Sequence, residues 1–264
     1  QLPHTRSGLS GENLVARDPE GLLAAWPNYS GPTLAEAINT FRPSNRDRAT
    51  AKPLRLSVAD VYKHVRLGPM TVSGRIQTGT VVVGDQVQVM PINELCTVKN
   101  LNDHRGIPCK AAVAGTNVEL GLQGLDDASM LHVGCLLCDP IRPIRLVVSF
   151  EAQIQTLDTL SIPLVKGIQF TMHLHNTDVP VTVRKLIGLC DKANPGVITH
   201  KKPRRIGRNE IAKVRIEMLE GHPGICLETF EEFRALGRVL LRDNGVTVCV
   251  GFVTKLKRRR KRGR

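Results

Sequence analysis

From Pro53 onward the apolar residues recur at every second position, in short runs broken by turn residues, and few folds accept that rhythm. LRLSVADVY, MTVSGRI, GTVVVGDQVQVM, CTVKNL, TNVELGLQGL and VGCLLCD are such runs, rich in Val, Leu and Ile. Gly79, Gly84-Asp85 and Gly115 punctuate them at roughly ten-residue spacing. No helical stretch separates the runs, which excludes a parallel βαβ layout and predicts a small antiparallel barrel or sandwich over residues 53–140. A second series follows Pro143: IRLVVSFEAQIQTL, IQFTMHLHNT, VPVTVRKLIGLCD, NEIAKVRIEML, PGICLETF, RVLLRD and VTVCVGFVTKL. It is long enough for a second β-barrel of six strands over residues 141–256. Asp243-Asn244-Gly245, between RVLLR and VTVCVGFV, is a strong hairpin signal.

Residues 1–52 have a different texture. Pro3, Pro19, Pro27, Pro32 and Pro43 punctuate them, and one helix is expected over Thr33–Phe41, where Leu34, Ala37, Ile38 and Phe41 share a face. RPSNRDRATAKP reads as a linker. The expected class is therefore mainly β: two antiparallel barrels after a short α/loop segment, with a basic tail over residues 257–264.

Composition narrows the function classes. Aromatic residues are only 3% of the 264, so the cores must rest on aliphatic side chains. The net charge is +13, of which Lys257–Arg264 supplies seven, leaving a moderately basic body and pointing to an anionic partner such as nucleic acid. No apolar run reaches the length of a membrane-spanning helix, and QLPHTRSGLSGEN lacks the apolar core of a signal peptide. Seven cysteines, an odd number scattered through apolar runs, fit reduced thiols in a cytoplasmic protein.

Four constellations could carry chemistry. Ser7-Gly8-Leu9-Ser10-Gly11 is a small-residue loop whose backbone amides could approach a ligand, although an ordinary turn before a helix cap explains it too. Cys135 and Cys138 have zinc-site spacing but lack a second ligand pair, so buried structural thiols are expected and no metal. His173 and His175 would share one face of a strand, with no acidic or cysteine partner evident nearby in sequence. Lys201, Lys202, Arg204, Arg205 and Arg208 form a basic loop between strands, either solvated or facing phosphate, for instance of ribosomal RNA. The tail is an RNA-binding arm, an import signal or a solubilising extension. No nucleophile–base order and no GxxxxGK[ST] phosphate loop is present, and Asp60, Glu94, Glu119, Asp126 and Asp127 have no nucleophile to serve.

Several of these segments, taken in order, resemble the elongation factor Tu and one-alpha superfamily of translational GTPases. Pro53-Leu54-Arg55-Leu56, Asp60-Val61-Tyr62-Lys63 and Gly74-Arg75-Ile76-Gln77-Thr78-Gly79 resemble the opening of its second domain, and Ala114-Gly115-Thr116-Asn117-Val118 resembles a later strand of it. Leu236-Gly237-Arg238-Val239-Leu240-Leu241-Arg242-Asp243 resembles the GRFxLRD segment of its third. Residues 90–99, 133–138 and 162–167 look most like the Hbs-one-like ribosome-rescue factor. Cys138-Asp139-Pro140 and residues 225–230 look more like eukaryotic release factor three.

The resemblance implies that Ser7, Gly8 and Leu9 belong to the last guanine-contacting loop, and that residues 1–52 are the end of a GTPase domain. It implies GTP and magnesium as cofactors of the parent family. The phosphate loop, switches, DxxG and NKxD motifs are not in this sequence, so this chain alone is expected neither to bind nor to hydrolyse GTP. Micromolar or tighter GTP binding by the chain would overturn that expectation. The resemblance further implies a monomer whose barrels dock a Pelota-like or release-factor-one-like protein and the ribosome with its RNA. By correspondence, Gly237, Arg238, Leu240 and Arg242 are the candidate partner contacts, Arg238 and Arg242 the stronger because an unpaired Arg is rarely buried. A stand-alone RNA-binding protein is the alternative of another class.

Overall fold

A computed structural model describes residues 38–41, 49–125, 130–174 and 176–257. The chain divides into two compact units, Gln1–Arg46 and Asp47–Arg264. In the first, residues 38–40 are helical, inside the expected helix, and the rest of that expectation lies outside the described residues.

The second unit holds two sheets. Strands β1 (Arg55–His64), β2 (Gly68–Thr78), β3 (Thr80–Val82), β4 (Gln86–Met90), β5 (Glu94–Asp103), β6 (Ala111–Val113), β7 (Asn117–Gln123) and β8 (Leu136–Cys138) come first. Six of them close a barrel in the order β1-β2-β7-β5-β4-β8, every pairing antiparallel, while β3 and β6 pair separately. Period two does the work: Leu56, Val58, Val72, Ile76, Val87, Val89, Leu120 and Leu122 all point inward and are buried. No aromatic ring belongs to this core among the described residues. Each such aliphatic side chain contributes roughly 1.5–3 kcal/mol by leaving water.

The later strands are β9 (Leu146–Val147), β10 (Ser149–Thr156), β11 (Leu164–Val165), β12 (Gln169–Leu174), β13 (Thr177–Cys190), β14 (Ile198–Lys201), β15 (Arg205–Ile206), β16 (Ile211–Met218), β17 (Ile225–Cys226), β18 (Arg238–Asp243) and β19 (Val246–Lys257). The main sheet runs β12-β18-β19-β10-β16-β13-β14, and a further β12–β13 pairing closes six of these strands into a second ring with β14 appended. The fold is mainly β, with two antiparallel barrels, as the rhythm of the sequence predicts.

Strand β8 joins the two. Cys135 and Leu137 face the first barrel's core, while Leu136 and Cys138 face the other way, into a cluster with Met90, Ile144, Cys226 and Leu236. Both faces of this strand are buried, which explains why the four residues Cys135-Leu136-Leu137-Cys138 are apolar without alternation. Beside the cluster, Arg55 on β1 reaches Glu228, just after β17, at 3.1 Å, with both side chains buried. Arg55 and Lys52 also lie over the Phe233 ring, 5.1 and 4.9 Å from its centroid, and Lys52 donates to the Glu232 carbonyl.

Candidate functional site

The GRVLLRD segment becomes β18, hairpin-paired to β19. Asn244 (φ 48°) and Gly245 (φ 81°) form the two-residue loop between the Asp243–Val246 pair, a left-handed turn whose twist matches the strands. Alternation then sends Val239 and Leu241 into the core and Arg238 and Leu240 outward. Across the ladder Arg238 sits opposite Phe252, and Leu240 opposite Val250. The Phe230 ring stacks at 5.1 Å on Phe252, with Arg238 and Arg234 each 5.8 Å from its centroid.

The result is an open groove of about 390 Å³ lined by Pro195, Phe230, Arg238, Leu240, Val250 and Phe252, with Gln153 and Gln155 among its polar edges. Half-buried aromatics beside an exposed arginine are the side-chain types that dominate protein–protein binding energy. Of the four candidate partner residues, only Arg238 and Leu240 line the groove. Arg242 is half-buried against Thr171 and Thr247, and its Nε is buried with no hydrogen-bond partner among the described residues.

Gly237 is buried, and its role is one of close approach. A Cβ there would meet the Phe230 backbone nitrogen at 2.4 Å and its Cα at 2.5 Å. Those atoms are tied down, because Phe230 N donates to the Val253 carbonyl and Val253 N to the Gly237 carbonyl. Gly237→Ala is therefore expected to destabilise by about 1–3 kcal/mol, as overpacking does. A melting temperature within a degree of the parent's would contradict this.

The five loop cations separate. Lys202 and Arg204 face a second concavity, Lys201 ends β14 opposite Gly188, Arg205 sits in β15, and Arg208 Nε donates to the Leu160 carbonyl at 2.7 Å. Nearby, Glu151 on β10 accepts from Arg215 at 3.0 Å and pairs with Lys257 at 3.2 Å. Burial alone would push the Glu151 carboxyl up, but the Arg215 and Lys257 hydrogen bonds outweigh it and hold the group below its ordinary range. A depressed carboxylate contributes stability that is present above the unfolded value, near 4.3, and is lost as pH falls through the lower folded value. Glu151→Gln should accordingly flatten the loss of denaturant stability between neutral pH and pH 3. An unchanged acid-side slope would refute that role.

The other sequence candidates resolve as follows. Burial pushes the Cys135 and Cys138 thiols up, away from the thiolate form a metal requires. Among the described residues no group of three or more His, Cys, Asp or Glu could hold a metal ion. His173 has an acidic partner after all: Asp178, directly opposite across the β12–β13 hairpin, lies 2.5 Å from its Nδ1. Asp178 is only five residues further along the chain, so the acid was visible in the sequence, and the tight β12–β13 hairpin folds it back over His173. His175, the Ser7-Gly8-Leu9 loop, Asp126, Asp127 and the tail beyond Lys257 lie outside the described residues.

Comparison with known proteins agrees with the barrels. Residues 149–254 match the family described as GTP-eEF1A C-terminal domain-like. Across 251 residues the chain is 37% identical to Protein HBS1 of Drosophila melanogaster, covering 95% of this chain and 36% of that protein. The chain belongs to the elongation factor one-alpha superfamily. Within it, the elongation factor 1 alpha-like protein of Schizosaccharomyces pombe is 35% identical over 250 residues, covering 95% of this chain and 39% of that one. The eukaryotic peptide chain release factor GTP-binding subunit of the same yeast is 31% identical, covering 95% and 35%. Solved sup35 complexed with GDP superposes with a TM-score of 0.74 at 29% identity, covering 88% of this chain and 54% of that one. The chain thus spans between about a third and a half of the length of these superfamily members.

Proposed function

We propose that this chain is the partner- and ribosome-binding part of a translational GTPase of the ribosome-rescue type, acting in the cytoplasm as a monomer and carrying a Pelota-like, tRNA-shaped protein to stalled ribosomes. The observation that carries the reading is the groove between Phe230 and the β18–β19 hairpin, where Arg238 and Leu240 of the superfamily segment stand exposed beside two aromatic rings. The 37% identity to HBS1 favours the rescue type. GTP and magnesium would act on the parent protein's nucleotide-binding domain, through residues outside those described. Ser7, Gly8 and Leu9 would meet the guanine base.

A release-factor reading, with a release-factor-one-like partner, rests on the sup35 likeness. Calorimetric titration of this chain with a Pelota-like protein, a release-factor-one-like protein and an aminoacyl-tRNA separates the readings. Micromolar or tighter binding of the Pelota-like protein, at least tenfold tighter than the others, is the expected result. A preference for the release factor or the tRNA would replace the rescue assignment.

A further inference from the structure

A concavity of about 460 Å³ lies in the seam between the barrels and shares no lining residue with the partner groove. Lys52 and Arg55 line it from the first barrel's side, Arg142 and Arg145 from the connection between the barrels, and Glu228 and Glu232 from the stretch after β17. Lys52, Arg142 and Arg145 are exposed and have no ion pair among the described residues. Arg55 is buried, and its hydrogen bonds are incomplete. Its terminal nitrogens reach Glu228 and the Leu54 carbonyl, while Nε is buried with no hydrogen-bond partner among the described residues. A buried donor left unused calls for an acceptor, and the concavity that Arg55 lines has room for one.

The chain holds these cations in place before any ligand arrives. Ile141 N donates to Asp139 Oδ1 at 2.9 Å and Arg142 N to the Asp139 carbonyl at 3.2 Å, which closes a turn. Pro143 then fixes its own φ, Ile144 is buried in the seam cluster, and Leu227 N donates to the Arg145 carbonyl at 3.2 Å. A segment anchored in this way presents its two guanidinium groups at small entropic cost. Lys52 is steadied over the Phe233 ring and by the Glu232 carbonyl.

We propose that this seam is a binding site for a phosphomonoester dianion, held by Lys52, Arg55, Arg142 and Arg145. Four lining cations against two lining carboxylates leave two positive charges, which matches the roughly −1.5 to −2 of a phosphomonoester at neutral pH. The planar fork of an arginine fits phosphate oxygens two at a time. A nucleic-acid strand fits this site poorly. Its phosphates carry one charge each and repeat, and Glu228 and Glu232 in the lining repel such a run. Phe233 is packed against the seam cluster and under Lys52 and Arg55, which leaves it no open face for a base. Because the lining comes from both barrels, the bound anion ties them together.

Calorimetric titration of the full chain with inorganic phosphate, at constant ionic strength, tests the proposal. A dissociation constant of about 1 mM or below is expected, with a melting temperature that rises with phosphate concentration. Arg142→Ala with Arg145→Ala should weaken binding at least tenfold. Arg66→Ala with Arg75→Ala, two exposed arginines outside the concavity, should leave it unchanged. Arg142→Lys with Arg145→Lys keeps the charge and removes the forks, so it should weaken binding about threefold or more even if the alanine variant folds poorly. Parental affinity in the lysine variant, or equal losses in the two alanine variants, would overturn the proposal. Glutarate, a dicarboxylate of similar charge, binding as tightly as phosphate would overturn it too, since charge alone would then suffice. Phosphoserine binding more tightly than inorganic phosphate would mark a phosphorylated side chain as the source, and the reverse order the free anion; either result supports the site. Because the titration contains no protein partner, its failure leaves the proposed function standing, and the reverse holds.

Discussion

Arg55→Ala is expected to lower stability by about 3–5 kcal/mol, because it strands a buried carboxylate. Arg55 and Glu228 meet at 3.1 Å with side-chain exposures of 3% and 6%, in the seam between the two barrels. Arg55 Nη1 also donates to the Leu54 carbonyl at 2.9 Å, so the substitution empties several contacts at once. The pair is not a stability gain over an apolar seam. Burial pushes the Glu228 carboxyl up more than Arg55 pulls it down. Arg55→Met with Glu228→Leu should therefore recover most of the loss. The sign with pH follows. A raised carboxyl pKa gives stability that is fully present below the unfolded value, near 4.3, and is lost as pH rises through the folded value. The deficit of Arg55→Ala should be smaller at pH 4.5 than at pH 7, since a protonated Glu228 no longer needs a cation. Guanidinium unfolding at the two pH values checks this, and a loss below about 1 kcal/mol at pH 7 would refute the role of the seam.

Binding of a Pelota-like partner should fall at least a hundredfold in Arg238→Glu and in Leu240→Asp, a loss of about 2.7 kcal/mol or more. Both side chains are exposed on β18, with their inward neighbours Val239 and Leu241 filling the core, so melting temperature should hold. Phe252→Ala should act similarly by removing the ring on which Phe230 stacks. Arg242→Glu should affect partner binding less, because that residue does not line the groove. Full affinity in Arg238→Glu, measured by calorimetry, would place the docking face elsewhere on the barrel.

The difference between Arg238 and Arg242 shows how far sequence reasoning reaches into the site. Alternation puts 238, 240 and 242 on one face, and the segment's likeness to the superfamily marked all three. It could not show that Phe230 and Phe252, from outside the segment, would build the groove around the first two only. Gly237 carried the same family mark, yet its position reflects backbone packing against Phe230. The basic loop was visible as a run of charge, but Lys166, Arg184, Lys185 and Arg215 come from separate strands and gave no local signal.

The sequence by itself determined the class of this protein: period-two runs, aliphatic composition and turn residues such as Asn244-Gly245 dictate two antiparallel barrels, since each depends on neighbours a few residues apart. The tertiary structure alone decided which side chains meet. Arg55 and Glu228 lie 173 residues apart, Cys135 and Cys138 face different cores only because β8 is covered on both sides, and a bulge decides that Arg184 and Lys185 look the same way. These outcomes depend on barrel closure, inter-barrel packing and strand register, which arise from the summed packing of many distant residues and leave no mark on any short stretch of chain.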